Sequence, residues 1–406
     1  MSGIYRLKGT VKHYDWGGTS FIPSLLHADN HDNLPFAEYW LGVHLHDNCI
    51  IELPGPRRQL LREYIQSYPD ALGKEVLQRF GHLPYLLKVL DVHKMLSIQV
   101  HPSKTAAEKE FARENTEGIA PDSIRRNYKD NNHKPELMVA MGDFWLLHGF
   151  KLKEKLVHIL QTVPELKLLL LVFERFGYEG LYKLVMEMPQ QEVNNILQPL
   201  LDRITALYNE GKLNKEQEDF WAARAAISFP HHGKADRGIF SIYFFNLLHL
   251  KKGEAIFQGA GLPHAYLEGQ NVEIMASSDN VLRGGLTNKH IDVKELLKHV
   301  KCEPTKVEIL CGMPSGNGEK IYSTAVPDFQ LSVFEIKTGD TVSFTPVTAE
   351  ILLLTEGRAE VNNGIDKLKL EEGNPSGIVL PGKAIHISSP AGATVFRASV
   401  PVHMGE

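Results

Sequence analysis

The hydrophobic period changes twice along the chain. Up to about residue 150, short runs alternate apolar and polar positions or are apolar throughout: YWLGVHL, PYLLKVLDV, LSIQVH, ELMVAM, FWLLHGF. A period of two sends successive side chains to opposite faces, so these runs predict β-strands. One stretch differs. SKTAAEKEFARENTEG, residues 103–118, is charged throughout, and Ser103 or Thr105 can cap a helix there. Between residues 151 and 227 the period becomes helical. In EVNNILQPLLDRITALY, Val193, Ile196, Leu197, Leu200, Leu201, Ile204 and Leu207 share one face, and Pro199 predicts a kink or a break. NKEQEDFWAARAA predicts a helix with Asn214 as N-cap and Gln217 three residues on. LKLLLLVF, residues 166–173, predicts a buried helix. From about residue 238 the strand texture returns, and beyond 320 it is almost continuous, with Gly, Pro and Asp at the turns.

These textures predict a mainly β fold, a sandwich or jelly roll of short antiparallel strands, with an inserted α-helical domain. The turn-strand pattern of KKGEAIFQGAGLPHAY returns weakly in TGDTVSFTP and PSGIVLPGKAIHIS, which hints at two related barrels. The boundaries expected are 1–150 for the first part of one domain, 151–227 for the helical insertion, 228–315 for the second part, and 316–406 for a C-terminal domain.

Composition narrows the class. A net charge of −5 argues against a nucleic-acid binder, which usually carries a basic surface. The longest apolar run is far shorter than the roughly 20 residues of a membrane span, and the N-terminus has no secretory pattern. Three cysteines cannot all pair within one chain and none forms CxxC, which suits a reducing cytoplasm. Most of the nineteen histidines fall outside any pattern, His231-His232 among them.

A few positions carry chemistry. If SIQVHPSK, residues 97–104, is extended, Ser97, Gln99 and His101 face one way and Ile98 and Val100 the other. That is either a solvent-facing sheet or a strand delivering a ligand pair. Glu136 enters the apolar strand ELMVAM just after Pro135, where a carboxylate is costly unless paired or bound to a metal; Lys134 lies on its face. His264 follows Pro263, with Tyr266 on the same face. Gln99, His101, Glu136 and His264 together offer two nitrogens and two oxygens. This set suits Zn²⁺, with Mn²⁺, Fe²⁺ and Co²⁺ as alternatives. A histidine beside proline is also a common turn or core residue, and Glu136 is also explained by Lys134. Further on, Glu273 alternates with Val272 and Ile274, and Arg283 precedes two glycines that permit close approach of a ligand.

The stretches YDWGG, LPYLLKVLDVHKMLSIQVHP, NYKDNNHKPELMVA, GLPHAYLEG and NVEIMASSDNVLRGGLTNKHID resemble, in order over residues 1–310, the type I mannose-6-phosphate isomerases. The C-terminal part is similar in texture only. The resemblance implies two cupin-type jelly-roll barrels with a helical insertion, and a zinc-dependent enzyme that interconverts mannose 6-phosphate and fructose 6-phosphate; the cysteines make the expected location cytoplasmic. It puts the zinc on Gln99, His101, Glu136 and His264, and the catalytic arginine on Arg283. It puts the pocket on Trp16, Lys88, Ser97, Lys134, Tyr266, Glu273 and Asp279. For the proton transfer Glu273 is the expected base, with Lys134 the alternative; Tyr266 is the expected relay, and Ser97 and Lys88 the expected phosphate contacts. The expected partner is a small sugar phosphate, with neither nucleic acid nor membrane, and the expected state is a monomer. Rival classes are a metal-dependent oxygenase of similar fold, a non-catalytic sugar-phosphate binder, and an isomerase of a related aldose phosphate.

Overall fold

The computed structural model describes residues 3–44, 49–229 and 233–401; His231-His232 and the end of YWLGVHL lie outside them. Two large antiparallel sheets and a smaller one carry the fold, and helices cover one side. A ten-stranded sheet is built around the strand His264–Ala276. That strand is long enough to pair with Tyr85–Val92 and Glu136–Ala140 along its C-terminal half, and with Phe144–Phe150 and the short strand Ile98–Val100 along its N-terminal half.

A nine-stranded sheet faces it across a core that contains Leu87, Val89, Val139, Val272 and Ile274 from one side and Leu7, Ile51, Val333, Ile351 and Phe396 from the other. The C-terminal strands do not make this sheet alone. Ile4–Lys8 pairs with Ser376–Val379 and with Ile50–Glu52, so the chain's start is woven between a late strand and an early one. The other face of the nine-stranded sheet packs Phe334, Leu352 and Val395 on a four-stranded sheet through Val361, Ile385 and Ile387.

Phe144–Phe150 and Phe245–Leu250 pair directly, and the helices between them leave and rejoin the sheet at adjacent strands. Leu156, Phe173, Leu181, Leu197, Leu200 and Trp221 bury their apolar faces in one core shared with Ile98, Val100, Leu147 and Leu282. Glu268 on the sheet accepts from Lys215 and Arg224, tying the helices to the long strand.

Three local expectations are revised. Pro199 lies within an unbroken helix, Gln190–Asn209. Asn214 starts a turn, not a helix: its side chain accepts from Glu216 N, and the helix begins at Glu218 with Gln217 before it. The run LKLLLLVF is amphipathic, with Leu169 and Phe173 buried but Leu168 and Leu171 outward. The 103–118 helix is capped as expected, with Ser103 Oγ accepting from Ala106 N at 3.2 Å. No single helix among the described residues is long and apolar enough to cross a membrane.

Candidate metal centre and active site

Two rungs of the ten-stranded sheet carry the polar residues. In one, Arg283 lies opposite Gln99, Gln99 opposite His264, and His264 opposite His148. In the other, Trp40 lies opposite Lys88, Lys88 opposite Glu273, and Glu273 opposite Met138. Directly opposed residues put their side chains on one face. The strand His264–Ala276 belongs to both rungs, yet His264 and Glu273 are an odd number of residues apart. Strict alternation would send them to opposite faces. The register shifts between Tyr266 and Glu268, and Gly269 follows with φ of +128°. This bulge flips the parity, so Tyr266 and Glu273 meet: the Tyr266 hydroxyl donates to Glu273 Oε2 at 2.8 Å.

His101, Glu136 and His264 are buried, and one ligating atom of each lies within 4.8 Å of the others. His101 Nε2 is 3.4 Å from one Glu136 oxygen and His264 Nε2 is 3.3 Å from the other. The far nitrogens are engaged. His101 Nδ1 sits 2.8 Å from the Asn280 carbonyl and His264 Nδ1 3.0 Å from the Leu262 carbonyl. A carbonyl only accepts, so each Nδ1 carries the proton and each Nε2 turns a lone pair inward. His101 Nε2 meets no hydrogen-bond partner among the described residues. A buried lone pair of that kind, beside an imidazole and a carboxylate, is a donor set fit for zinc. Burial also lowers the His101 pKa to about 4, which keeps the ring neutral and able to ligate. Gln99 is neighbour to His264 on the same face and lines the adjoining cavity.

That cavity has a volume of about 660 Å³ and is lined by Trp16, Lys88, Ser97, Lys134, Asp279 and Arg283 among others. Lys134 Nζ reaches Glu136 at 3.2 Å, and Lys88 Nζ reaches Glu273 at 3.5 Å. The two buried carboxylates are driven apart. Burial works against ionising Glu136, but the Lys134 ammonium outweighs it and holds the carboxyl well below its ordinary range. Burial, then the Glu136 charge, raise Glu273 to about 7, against the pull of Lys88 and Lys134. One carboxylate is thus firmly charged and the other poised near neutrality. Burial and the Glu273 charge hold the Tyr266 hydroxyl well above its ordinary pKa, so it stays protonated.

A family profile, phosphomannose isomerase type I catalytic domain, matches residues 4–153. The mannose-6-phosphate isomerase of Escherichia coli K12 is 35% identical over 378 residues, covering 91% of this chain and 93% of that one. This chain belongs to the type I mannose-6-phosphate isomerases. The Macaca fascicularis mannose-6-phosphate isomerase is 31% identical and covers 97% of this chain and 98% of its own. A solved Salmonella typhimurium mannose 6-phosphate isomerase, bound to its substrate and to zinc, superimposes with a TM-score of 0.87 at 32% identity, covering 99% of this chain and 100% of its own.

Several residues around this site went unnoticed in the sequence. Glu38 accepts from the Trp40 indole and lies 3.8 Å from Lys88 Nζ. His44 pairs with Asp279 at 3.2 Å. His148 holds Gln258 Oε1 at 2.9 Å beside His264. Lys289 lines the cavity near Arg283; partial burial, then the Arg283 charge, lower its pKa. No local pattern marks them, because each becomes a neighbour only through strand pairing or loop packing.

Proposed function

We propose that this chain is a zinc-dependent aldose–ketose isomerase that interconverts mannose 6-phosphate and fructose 6-phosphate. The observation that carries the reading is a pair of buried carboxylates in different settings, Glu136 between two imidazoles and beside Lys134, and Glu273 apart from them, bonded to the Tyr266 hydroxyl. A binding protein needs the first and has no use for the second.

Gln99, His101, Glu136 and His264 would hold the zinc. When bound, the ion supplies positive charge beside the sugar oxygens that become negative. Glu273 is the base. It takes the C2 proton of the open-chain aldose, and the electron pair of that bond forms the C1–C2 double bond of an enediol while O1 is protonated. The proton then returns to C1 and the O2 proton leaves, which makes the ketose. Tyr266, protonated and bonded to Glu273, relays protons between the two oxygens. Lys134, beside Glu136, helps keep that carboxylate charged. Arg283 shares a rung with the ligand strands and faces the charge that develops on the sugar oxygens.

Lys88 is matched by Glu38 and Glu273, which leaves it better suited to tune the base than to hold phosphate. Lys289 has no ion pair among the described residues and lies near Arg283, so it joins Ser97 as the phosphate contact, with Trp16 and Asp279 shaping the walls. Replacing Lys289→Met is expected to raise KM for the sugar phosphate about tenfold while kcat changes less than about threefold. An unchanged KM would remove Lys289 from the phosphate site.

The proposed architecture is two cupin-type jelly rolls, one of 1–150 with 228–315 and one of 316–406, with 151–227 inserted; Ile4–Lys8 and Ile50–Glu52 cross from the first into the sheet of the second. Free cysteines at 49, 302 and 311 support a cytoplasmic location, and light scattering would test the monomer. The deciding experiment is a coupled assay of mannose 6-phosphate turnover before and after chelation, with zinc added back. Loss and recovery are expected. Turnover that survives complete metal removal would refute the zinc reading.

A further inference from the structure

Two loops without regular structure meet behind the metal ligands: residues 128–134, which lead into Lys134 and Glu136, and residues 277–281, which lead into Arg283. Most of their backbone groups belong to no strand ladder, and side chains satisfy several of them. Asn280 does most of this. It is fully buried. Its Oδ1 accepts from Lys129 N at 2.7 Å and Asp130 N at 3.3 Å. Its Nδ2 donates to the carbonyls of Asp130 and Asn132, both at 2.8 Å. Asp130 answers from the other loop. Its carboxylate accepts from Asp279 N at 2.7 Å, from the Ser278 hydroxyl at 2.8 Å and from Asn132 N at 2.9 Å. The residue so clamped then offers its own carbonyl to His101 Nδ1 at 2.8 Å.

The two ligand histidines are therefore oriented by different means. His264 leans on the Leu262 carbonyl, two residues away on its own strand entry. His101 leans on a carbonyl 179 residues away, whose position depends on the Asn280–Asp130 clamp. If that carbonyl moves, the His101 ring loses the bond that sets both its tautomer and the direction of Nε2.

We propose that Asn280, locked to Asp130, is a positioning residue for the metal centre: through its carbonyl it holds His101 with Nε2 turned toward Glu136 and His264. This rests on the zinc reading above. It gives the sequence stretches KDNN and SSDN, of which only Asp279 otherwise reaches the pocket, a common purpose.

The test is zinc affinity measured on folded protein by competition with a chromogenic chelator, alongside thermal melting, for the unmodified chain, Asn280→Ala, Ser278→Ala and Glu114→Gln. Glu114 is the control. Its carboxylate accepts from Asn127 N and Tyr128 N at 3.1 and 3.0 Å, so it braces the same loop without touching the clamp. Asn280→Ala is expected to weaken zinc binding about 10- to 100-fold, and Ser278→Ala by about threefold or more. Glu114→Gln is expected to lower the melting temperature and leave zinc affinity within about twofold. Cobalt(II) loaded in place of zinc should show an altered visible spectrum in Asn280→Ala only. Unchanged affinity in Asn280→Ala overturns the inference, as does equal weakening in Glu114→Gln at equal loss of stability. Should Asn280→Ala fail to fold, Ser278→Ala decides alone, and unchanged affinity there overturns it. Failure of the unmodified chain to bind zinc would instead sink the zinc reading, and the inference with it.

Discussion

At the scale of single residues, function rests on how differently Glu136 and Glu273 are surrounded. Both are buried, and burial alone would raise both. The Lys134 ammonium decides the first; the charge of the first helps decide the second. Glu273→Gln keeps the shape and removes the base, so turnover should fall by about 10² to 10⁴ while sugar phosphate still binds. Near-normal kcat would remove Glu273 from that role. The base works ionised, so kcat/KM should decline as pH falls through its pKa of about 7. A bound cation cancels part of the Glu136 charge and moves that limb downward. A profile flat from neutrality into the ordinary carboxylate range would contradict the assignment. The groups facing Glu273 that set the limb are Glu136, Glu38, Lys88, Lys134 and Tyr266.

At the scale of elements, backbone irregularity does what alternation cannot. The bulge at Tyr266–Glu268 lets one strand present His264 and Glu273 on one face of the sheet. The glycines after Arg283 do something different. A Cβ on Gly285 would lie 2.4 Å from Gly238 Cα, and its φ is +132°, so the segment that follows the helical insertion touches the backbone next to the arginine itself. Asp236 reinforces the contact by accepting from Gly238 N and Thr287 N at 2.7 and 3.2 Å. Gly285→Ala combines backbone strain with overpacking. It should cost on the order of 2–4 kcal/mol in denaturant unfolding and reduce kcat by displacing Arg283. A variant as stable and active as the parent would show that this contact does not position the arginine.

At the scale of the molecule, the catalytic sheet depends on the far end of the chain. Ile4–Lys8 is sandwiched between C-terminal and N-terminal strands, and Tyr85, at the start of a strand in the site's sheet, sends its hydroxyl to the Ala398 carbonyl at 2.9 Å. Deleting residues 316–406 would uncover Leu7, Val89, Val139, Val272 and Ile274 and leave one edge of Ile4–Lys8 unpaired. The truncated chain is expected to aggregate or to lack a cooperative melt by circular dichroism. A soluble, cooperatively melting 1–315 fragment would show that the two β regions fold independently.

What is local could be read from the amino-acid order alone. Alternation marked Gln99 with His101, Lys134 with Glu136, and His264 with Tyr266 as same-face pairs, because a strand's period depends on nothing outside it. Ser103 as a helix cap and the helical stretch after residue 151 were legible for the same reason. The long motifs carried the family, and with it the expected ligands. Neighbours distant along the chain are set by the fold. Pro199 stayed within a helix because packing overrode a local preference. Glu38, His44, Lys289, Asn280 and Asp130 have no period to betray them; they matter because pairing and loop closure bring them to the site. The raised pKa of Glu273 belongs to this second class, since a pKa is set by neighbours in space and by the exclusion of water.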